Sequence, residues 1–387
     1  MLPVKQPPSD LPRPSADALA HSERLGARIR DEIVAAGGAI GFDRFMELAL
    51  YAPGLGYYSA GARKFGAAGD FITAPELSPL FSQCLAKQAD EVLRASSGGD
   101  ILELGAGSGR MATDMLAELA RIGRLPERYL ILEVSADLRE RQRECLQQRV
   151  PELLERVQWL DGLPEAFTGV IVANEVLDAL PVQRFRREAD GWSEQTVTLD
   201  GDVFNWGTRP VAAELNAALA RLETSLPVPM AAGYSSELCL QLPGFIGALA
   251  DSLERGALLF VDYGYPRNAY YHADRSMGTL MCHYRQRAHD DPFLYPGLQD
   301  ITAHVDFTAV AEAAVDNDLE LAGYTTQAHF LLALGIAERS NDMASAREVK
   351  LLTLPDEMGE RFKVIGFTKR LDEQLTGFEL RDLSHTL

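Results

Sequence analysis

The sequence predicts an α/β fold built on a doubly wound parallel sheet, and three observations carry that prediction. Short continuous apolar runs recur at 101–104, 129–134, 170–173, 257–261 and 364–367. Helical stretches separate them, as expected of strands buried on both faces of a parallel sheet. The runs carry glycine or polar residues at their C-terminal ends (Gly105, Glu133, Asn174, Asp262), the edge where open α/β sheets bind ligands.

The chain ahead of the first run reads as helical. Residues 22–36 form an amphipathic helix, and 41–51 form a second that Pro53 and Gly54 stop. A Gly-rich stretch covers 54–70. Over 78–94, Leu80, Phe81, Cys84, Leu85, Ala89, Val92 and Leu93 recur at helical spacing. Two connections, 181–256 and 264–307, are too long for simple strand–helix loops. The first contains strand-like pieces at 195–199 and 203–206 and a helix at 212–223; the second is rich in Tyr, His, Pro and Gly. The expected organisation is a disordered Pro-rich leader (1–20), an N-terminal helical substrate segment (21–95), a cofactor-binding sheet domain (96–180 with 256–370), an inserted substrate or interaction subdomain (181–255) and a polar tail (371–387). The N-terminal segment and the insertion are expected to cover the C-terminal edge of the sheet.

Bulk properties exclude several function classes. At 387 residues the chain exceeds one small core. Its 47% hydrophobic and 24% charged residues are those of a globular protein. A net charge of -19 repels phosphate backbones and argues against a nucleic-acid partner. No apolar stretch approaches the ~18 residues of a membrane span. Cys84, Cys145, Cys239 and Cys282 are scattered, which argues against structural zinc or a disulfide framework and for a reducing cytoplasm. The N-terminus has neither an apolar signal region nor an Arg-rich amphipathic one.

The sharpest local signal is ELGAGSG at 103–109, between the first run and a helical stretch over 110–122. Gly105, Ala106, Gly107 and Gly109 make a tight turn that lets a ligand approach the backbone, at the electropositive start of a helix. A dinucleotide fingerprint needs glycine where this chain has Arg110. With Glu103 ahead of the turn, the pattern suits a cofactor without a pyrophosphate but with a cationic amino-acid end. Glu133, closing the next strand, is placed to accept from two ribose hydroxyls. Asp161 and Gly162 are placed to meet an adenine amino group, although Asp-Gly is also a common turn.

Six segments, GDFITAPELSPLF (69–81), ELGAGSGRMATDML (103–116), LEVSADLRERQ (132–142), NEVLDALPVQRF (174–185), VDYGY (261–265) and PGLQDITAHVDF (296–307), together resemble the MidA family of class I methyltransferases. The resemblance runs from about residue 40 to 368. It implies S-adenosyl-L-methionine as cofactor and a seven-stranded sheet whose last strand is antiparallel. Mitochondrial members are complex I assembly factors that symmetrically dimethylate an arginine, so the resemblance implies an arginine-containing protein substrate, such as a respiratory-complex subunit. The plain N-terminus points to a bacterial, cytoplasmic protein.

Methyl transfer from a sulfonium is an in-line displacement that depends on alignment. A guanidinium acceptor is charged and planar, and carboxylates orient it through paired hydrogen bonds. Asn174, Glu175 and Asp178 follow the strand beside which class I methyltransferases place the acceptor. Acids there also cap helices, so both roles stand open, most evenly for Asp178. Glu76 is a further carboxylate candidate over the cofactor. His304 and Asp306 lack a third metal ligand; acceptor positioning or a structural role suits His304 better. The insertion binds either substrate or a second copy of the chain in a homodimer; the sequence leaves both open.

Overall fold

A computed structural model describes residues 11–59, 73–340 and 342–387. The chain divides into two compact units. One comprises Ile72–Leu177, Leu242–Pro266 and Val305–Leu387; the other comprises Met1–Phe71, Asp178–Gln241 and Arg267–His304.

The first unit is built on a sheet of seven main strands: β1 (Asp100–Leu104), β2 (Tyr129–Leu132), β3 (Val157–Leu160), β4 (Phe167–Asn174), β5 (Leu253–Tyr265), β6 (Glu320–Thr326) and β7 (Phe362–Lys369). Their order across the sheet is β3-β2-β1-β4-β5-β7-β6. The pairs from β3 to β5 are parallel, while β7 runs antiparallel to both β5 and β6. The order reverses beside β1, where doubly wound sheets open a ligand crevice. All five residues of β1 are buried, so Ile101, Leu102 and Leu104 supply apolar side chains to both faces and the acids Asp100 and Glu103 are enclosed with them. Helices α1 (Pro79–Ala95), α2 (Arg110–Arg121) and α3 (Ala136–Arg149) are among those that flank the sheet. The fold is thus the doubly wound, seven-stranded α/β sheet with an antiparallel last strand.

The second unit carries an antiparallel sheet. Its strand Gly191–Asp200 pairs with Gln183–Glu188, Ala39–Gly41 and Val203–Pro210, and Ser235–Leu238 pairs with Gln183–Glu188. A three-stranded sheet (Met281–Tyr284, Arg287–His289, Asp300–Thr302) lies in the same unit. The core here joins Leu25, Ile29 and Ile33 of helix Ala16–Ala35 with Phe42, Phe45, Phe204 and Phe293. Phe45 meets Phe293 edge-on at 5.3 Å between ring centres.

These units redraw the expected boundaries. The first helix starts at Ala16, not after residue 20, because the Ser15 hydroxyl accepts from Ala18 N–H and caps it; residues 1–10 lie outside the described residues. Residues 74–95 belong with the sheet rather than with the N-terminal segment, since Phe81, Cys84, Leu85, Ala89 and Val92 of α1 are buried in the sheet's core. Residues 242–252 form a helix of the sheet unit, not the end of the insertion. Conversely, 267–304 join the second unit. Residues 371–387 are not a loose polar tail, because Leu371, Leu375 and Phe378 are buried in the sheet unit's core. Residues 60–72, with the GDFI part of the GDFITAPE segment, and residue 341 lie outside the described residues.

The cofactor site and its surroundings

The glycine turn follows β1 and opens α2. Gly107 has φ +53°, in the left-handed region that penalises any side chain, and a Cβ placed there would meet nothing within 4 Å. The turn therefore has open space beside Gly107. Gly109 has φ +84°, and a Cβ there would lie 3.0 Å from the Gln142 Cα, so glycine lets α3 approach the turn. Gly105 and Ala106 complete it, Gly105 N–H donating to Leu132 O at 3.1 Å. Ser108 donates a hydrogen bond to Glu76 in the single-turn helix Ala74–Leu77, which brings that carboxylate to the turn.

Glu133 stands just past β2 and is only 5% exposed. Its Oε1 accepts from Ser135 N–H at 2.9 Å and its Oε2 from the Gln142 amide at 3.0 Å. Burial pushes its pKa up, opposed by the donors of Ser135, Gln142 and Val134 and by the charge of Arg139. Beside it Val134 leaves 76% of its surface to solvent, an apolar side chain with room for a flat ring. Glu103 is placed differently. It is fully enclosed, Tyr129 O–H donates to its Oε2 at 2.6 Å, and burial pushes its pKa to about 7. Its partner is Tyr129, while the carboxylate that meets the turn is that of Glu76. Asp161 is exposed and pairs with Arg139 at 2.8 Å; the space around Gly162 is open.

The end of β4 turns sharply. Glu175 adopts φ +53°, uncommon for a residue with a side chain, and its N–H donates to Val261 O at 2.9 Å. Its Oε1 accepts from Asn174 Nδ2 at 3.0 Å. Asp262, buried at the corresponding point of β5, holds the corner: its Oδ2 accepts from Val176 N–H at 3.2 Å and from Leu177 N–H at 2.9 Å. The buried Asn174 Oδ1 accepts no hydrogen bond among the described residues. Such an atom calls for a donor.

Asp178 and His304 belong to the other unit. Asp178 is buried, and its carbonyl accepts from Ala303 N–H at 3.0 Å. His304 N–H donates to Thr279 Oγ1 at 3.1 Å. In the sheet unit, Asp306 caps helix Phe307–Val315 through Thr308 and Ala309 N–H, a structural task. No group of three metal-ligating side chains occurs among the described residues, and no described helix is long and apolar enough to cross a membrane.

Gln142 and Arg139 escaped the sequence reading, and Asp262 stood in it as a polar strand end without its task at the corner. Arg139 ties the ends of β2 and β3 together, donating to Glu133 O and Leu160 O, both at 2.7 Å. The signal for Gln142 and Arg139 is faint: both stand one or two turns into α3 from its cap Ser135.

An open glycine turn, a buried acid at the end of β2, an exposed apolar neighbour and an orphaned amide oxygen at the end of β4 fit an adenosyl cofactor ending in an amino acid. With the strand order, they define a class I methyltransferase dependent on S-adenosyl-L-methionine. A family model described as "Putative S-adenosyl-L-methionine-dependent methyltransferase" matches residues 84–325. Two mitochondrial relatives named protein arginine methyltransferase NDUFAF7 (or its homolog) align over most of their length. The zebrafish (Danio rerio) protein is 30% identical over 85% of this chain and 83% of its own. The Drosophila melanogaster one is 28% identical over 94% and 89%. The crystal structure of a COG1565 superfamily member from Burkholderia thailandensis bound to S-adenosyl-homocysteine superposes with a TM-score of 0.92; it is 48% identical, covering 98% of this chain and 100% of that one. The chain belongs to the MidA family of methyltransferases.

Proposed function

We propose that this methyltransferase modifies an arginine side chain of a partner protein. The observation that carries the reading is the corner after β4: Glu175 is held in a left-handed conformation with its carboxylate beside Asn174, and Asp262 fixes the following amides. A strained residue held by its surroundings at a sheet's ligand edge is characteristic of functional sites. A fixed carboxylate is what a planar guanidinium needs in order to be oriented. The relatives named protein arginine methyltransferases support the same acceptor.

In this reading Gly105, Ala106, Gly107, Gly109, Glu133 and Asn174 hold the cofactor, with Asp161 and Gly162 at the adenine end and Glu103 supporting from beneath. When bound, the cofactor supplies an electrophilic methyl group on sulfur. Glu175 orients the acceptor, and Glu76 lies at the turn, where it can meet the cofactor's amino end. Asp178 and His304 belong to the acceptor side. The second unit, which the chain enters after β4 and again after β5, recognises the partner protein. A respiratory-complex subunit is the proposed partner.

Transfer of labelled methyl from S-adenosyl-L-methionine into an extract of a deletion strain tests this, with Glu175→Gln as control and mass spectrometry of any labelled band. A single labelled protein carrying methylarginine, absent with the control, is the expected result. Label confined to the small-molecule fraction would establish a small-molecule methyltransferase instead. A Glu175→Gln protein that still rescues the deletion would indicate a cofactor-binding assembly factor without turnover.

A further inference from the structure

We infer that Gln142 is a specificity-determining positioning residue, which aims the Glu133 carboxylate at the cofactor's ribose and locks it to the glycine turn. The inference rests on the assignment of Glu133 to the ribose. Gln142 is wholly buried. Its Nε2 donates to Glu133 Oε2 at 3.0 Å and to Gly107 O at 3.1 Å, while its Oε1 accepts from Trp159 Nε1 at 2.8 Å. Two acceptors face the nitrogen and one donor faces the oxygen, so only one orientation of the amide satisfies all three. Rotating it would break every bond in a site that water does not reach, where an unmet polar group is costly.

The three partners come from three elements: the turn after β1, the end of β2, and β3. Gly109 permits the arrangement, because a Cβ there would lie 3.0 Å from the Gln142 Cα. One amide therefore fixes the relative position of the turn's backbone and the acid. Ser135 N–H holds the other carboxylate oxygen at 2.9 Å. With each oxygen pinned from the protein side, the remaining acceptor capacity has a set direction. A vicinal diol donates two hydrogen bonds and reads that direction; a deoxyribose lacks one donor and leaves an acceptor unmet. Removing the Gln142 amide frees the carboxylate to turn, so selectivity for the diol should fall along with affinity.

Isothermal titration of the full chain with S-adenosyl-homocysteine and its 2′-deoxy and 3′-deoxy analogues tests this without turnover. Wild type should bind the parent ligand at least tenfold more tightly than either analogue. Q142L should bind the parent at least tenfold more weakly than wild type, with its preference over the analogues reduced below threefold. If Q142L weakens all three ligands equally, or none, Gln142 does no more than pack and the inference is overturned. If wild type itself shows no preference for ribose, the Glu133 assignment fails and takes the inference with it, an outcome read from wild type alone. Should Q142L not fold, W159F carries the test. It keeps a ring in place of the indole and removes the N–H that orients Gln142; a reduced ribose preference supports the inference and an unchanged one overturns it.

Discussion

At the scale of single residues, backbone conformation separates glycines that matter from those that do not. Gly107 sits at φ +53°, where a side chain costs about 1–2 kcal/mol, and any side chain would also intrude on the face of the turn proposed to meet the cofactor. Gly107→Val is expected to weaken S-adenosyl-homocysteine binding more than tenfold by calorimetry, whereas Gly244→Ala, in helix Leu242–Ser252 with open space around it, should change it less than twofold. Equal behaviour of the two variants would remove the turn from the site. Glu103 gives a pH signature. Burial raises its pKa from 4.5 to about 7, so the folded chain keeps a proton there that the unfolded chain loses above about pH 4.5. The associated stability is complete below that pH, declines as pH rises, and is gone above about 7; a shift of this size is worth up to ~3 kcal/mol. Glu103→Gln stays neutral, so its melting temperature should exceed that of wild type at pH 8 and match it more closely at pH 5. A difference between the two that is constant with pH would refute the argument. The turn after β1 and the strand ends that carry Glu133 and Asn174 were legible in the sequence because a strand, a turn and a helix leave a local pattern. The bonds that Gln142 and Asp262 make were not, because their partners Gly107 and Val176 lie 35 and 86 residues away.

At the scale of elements, the corner after β4 depends on a neighbouring strand. The Asp262 carboxylate receives two successive backbone amides, and hydrogen bonds to an ionised acceptor are roughly twice as strong as neutral ones. Asp262→Asn keeps the shape and loses the charge. It should lower kcat at least tenfold and leave the affinity for S-adenosyl-homocysteine within threefold; a loss of affinity instead would move Asp262 into the cofactor site. Five of the seven main strands announced themselves as apolar runs; β3, VQWL, did not, and neither did β6, ELAGYTT. It lies at the sheet's edge beside β7, it contains a register irregularity near Gly323, and its sequence never makes a continuous apolar run. The strands of the second unit were only half visible for the same kind of reason. Gln183–Glu188 carries four charged residues and is stabilised by two antiparallel neighbours, not by its own composition.

At the scale of the whole molecule, composition exposed the need for more than one core but not how the chain is divided. The C-terminal segment shows why: it looks polar, yet Leu371, Leu375 and Phe378 are buried, and Gly377 N–H donates to Gln88 Oε1 at 2.8 Å. At about 1.5–3 kcal/mol for each buried side chain, truncation after residue 370 should cost about 5 kcal/mol by urea unfolding; a change below about 1 kcal/mol would show the segment to be dispensable. The boundaries of the second unit were hidden because it is assembled from three separate stretches of chain. Its strand Ala39–Gly41 pairs with residues 196–198 of Gly191–Asp200, so a nascent chain emerging at roughly 5–20 residues per second must wait ~8–30 s before the two can meet. Throughout that interval the apolar face of Phe42, Phe45 and Met46, fully buried in the finished protein, stands without its partner outside the ribosome. Early synthesis is therefore the stage at which this chain shows an apolar face that the finished fold hides.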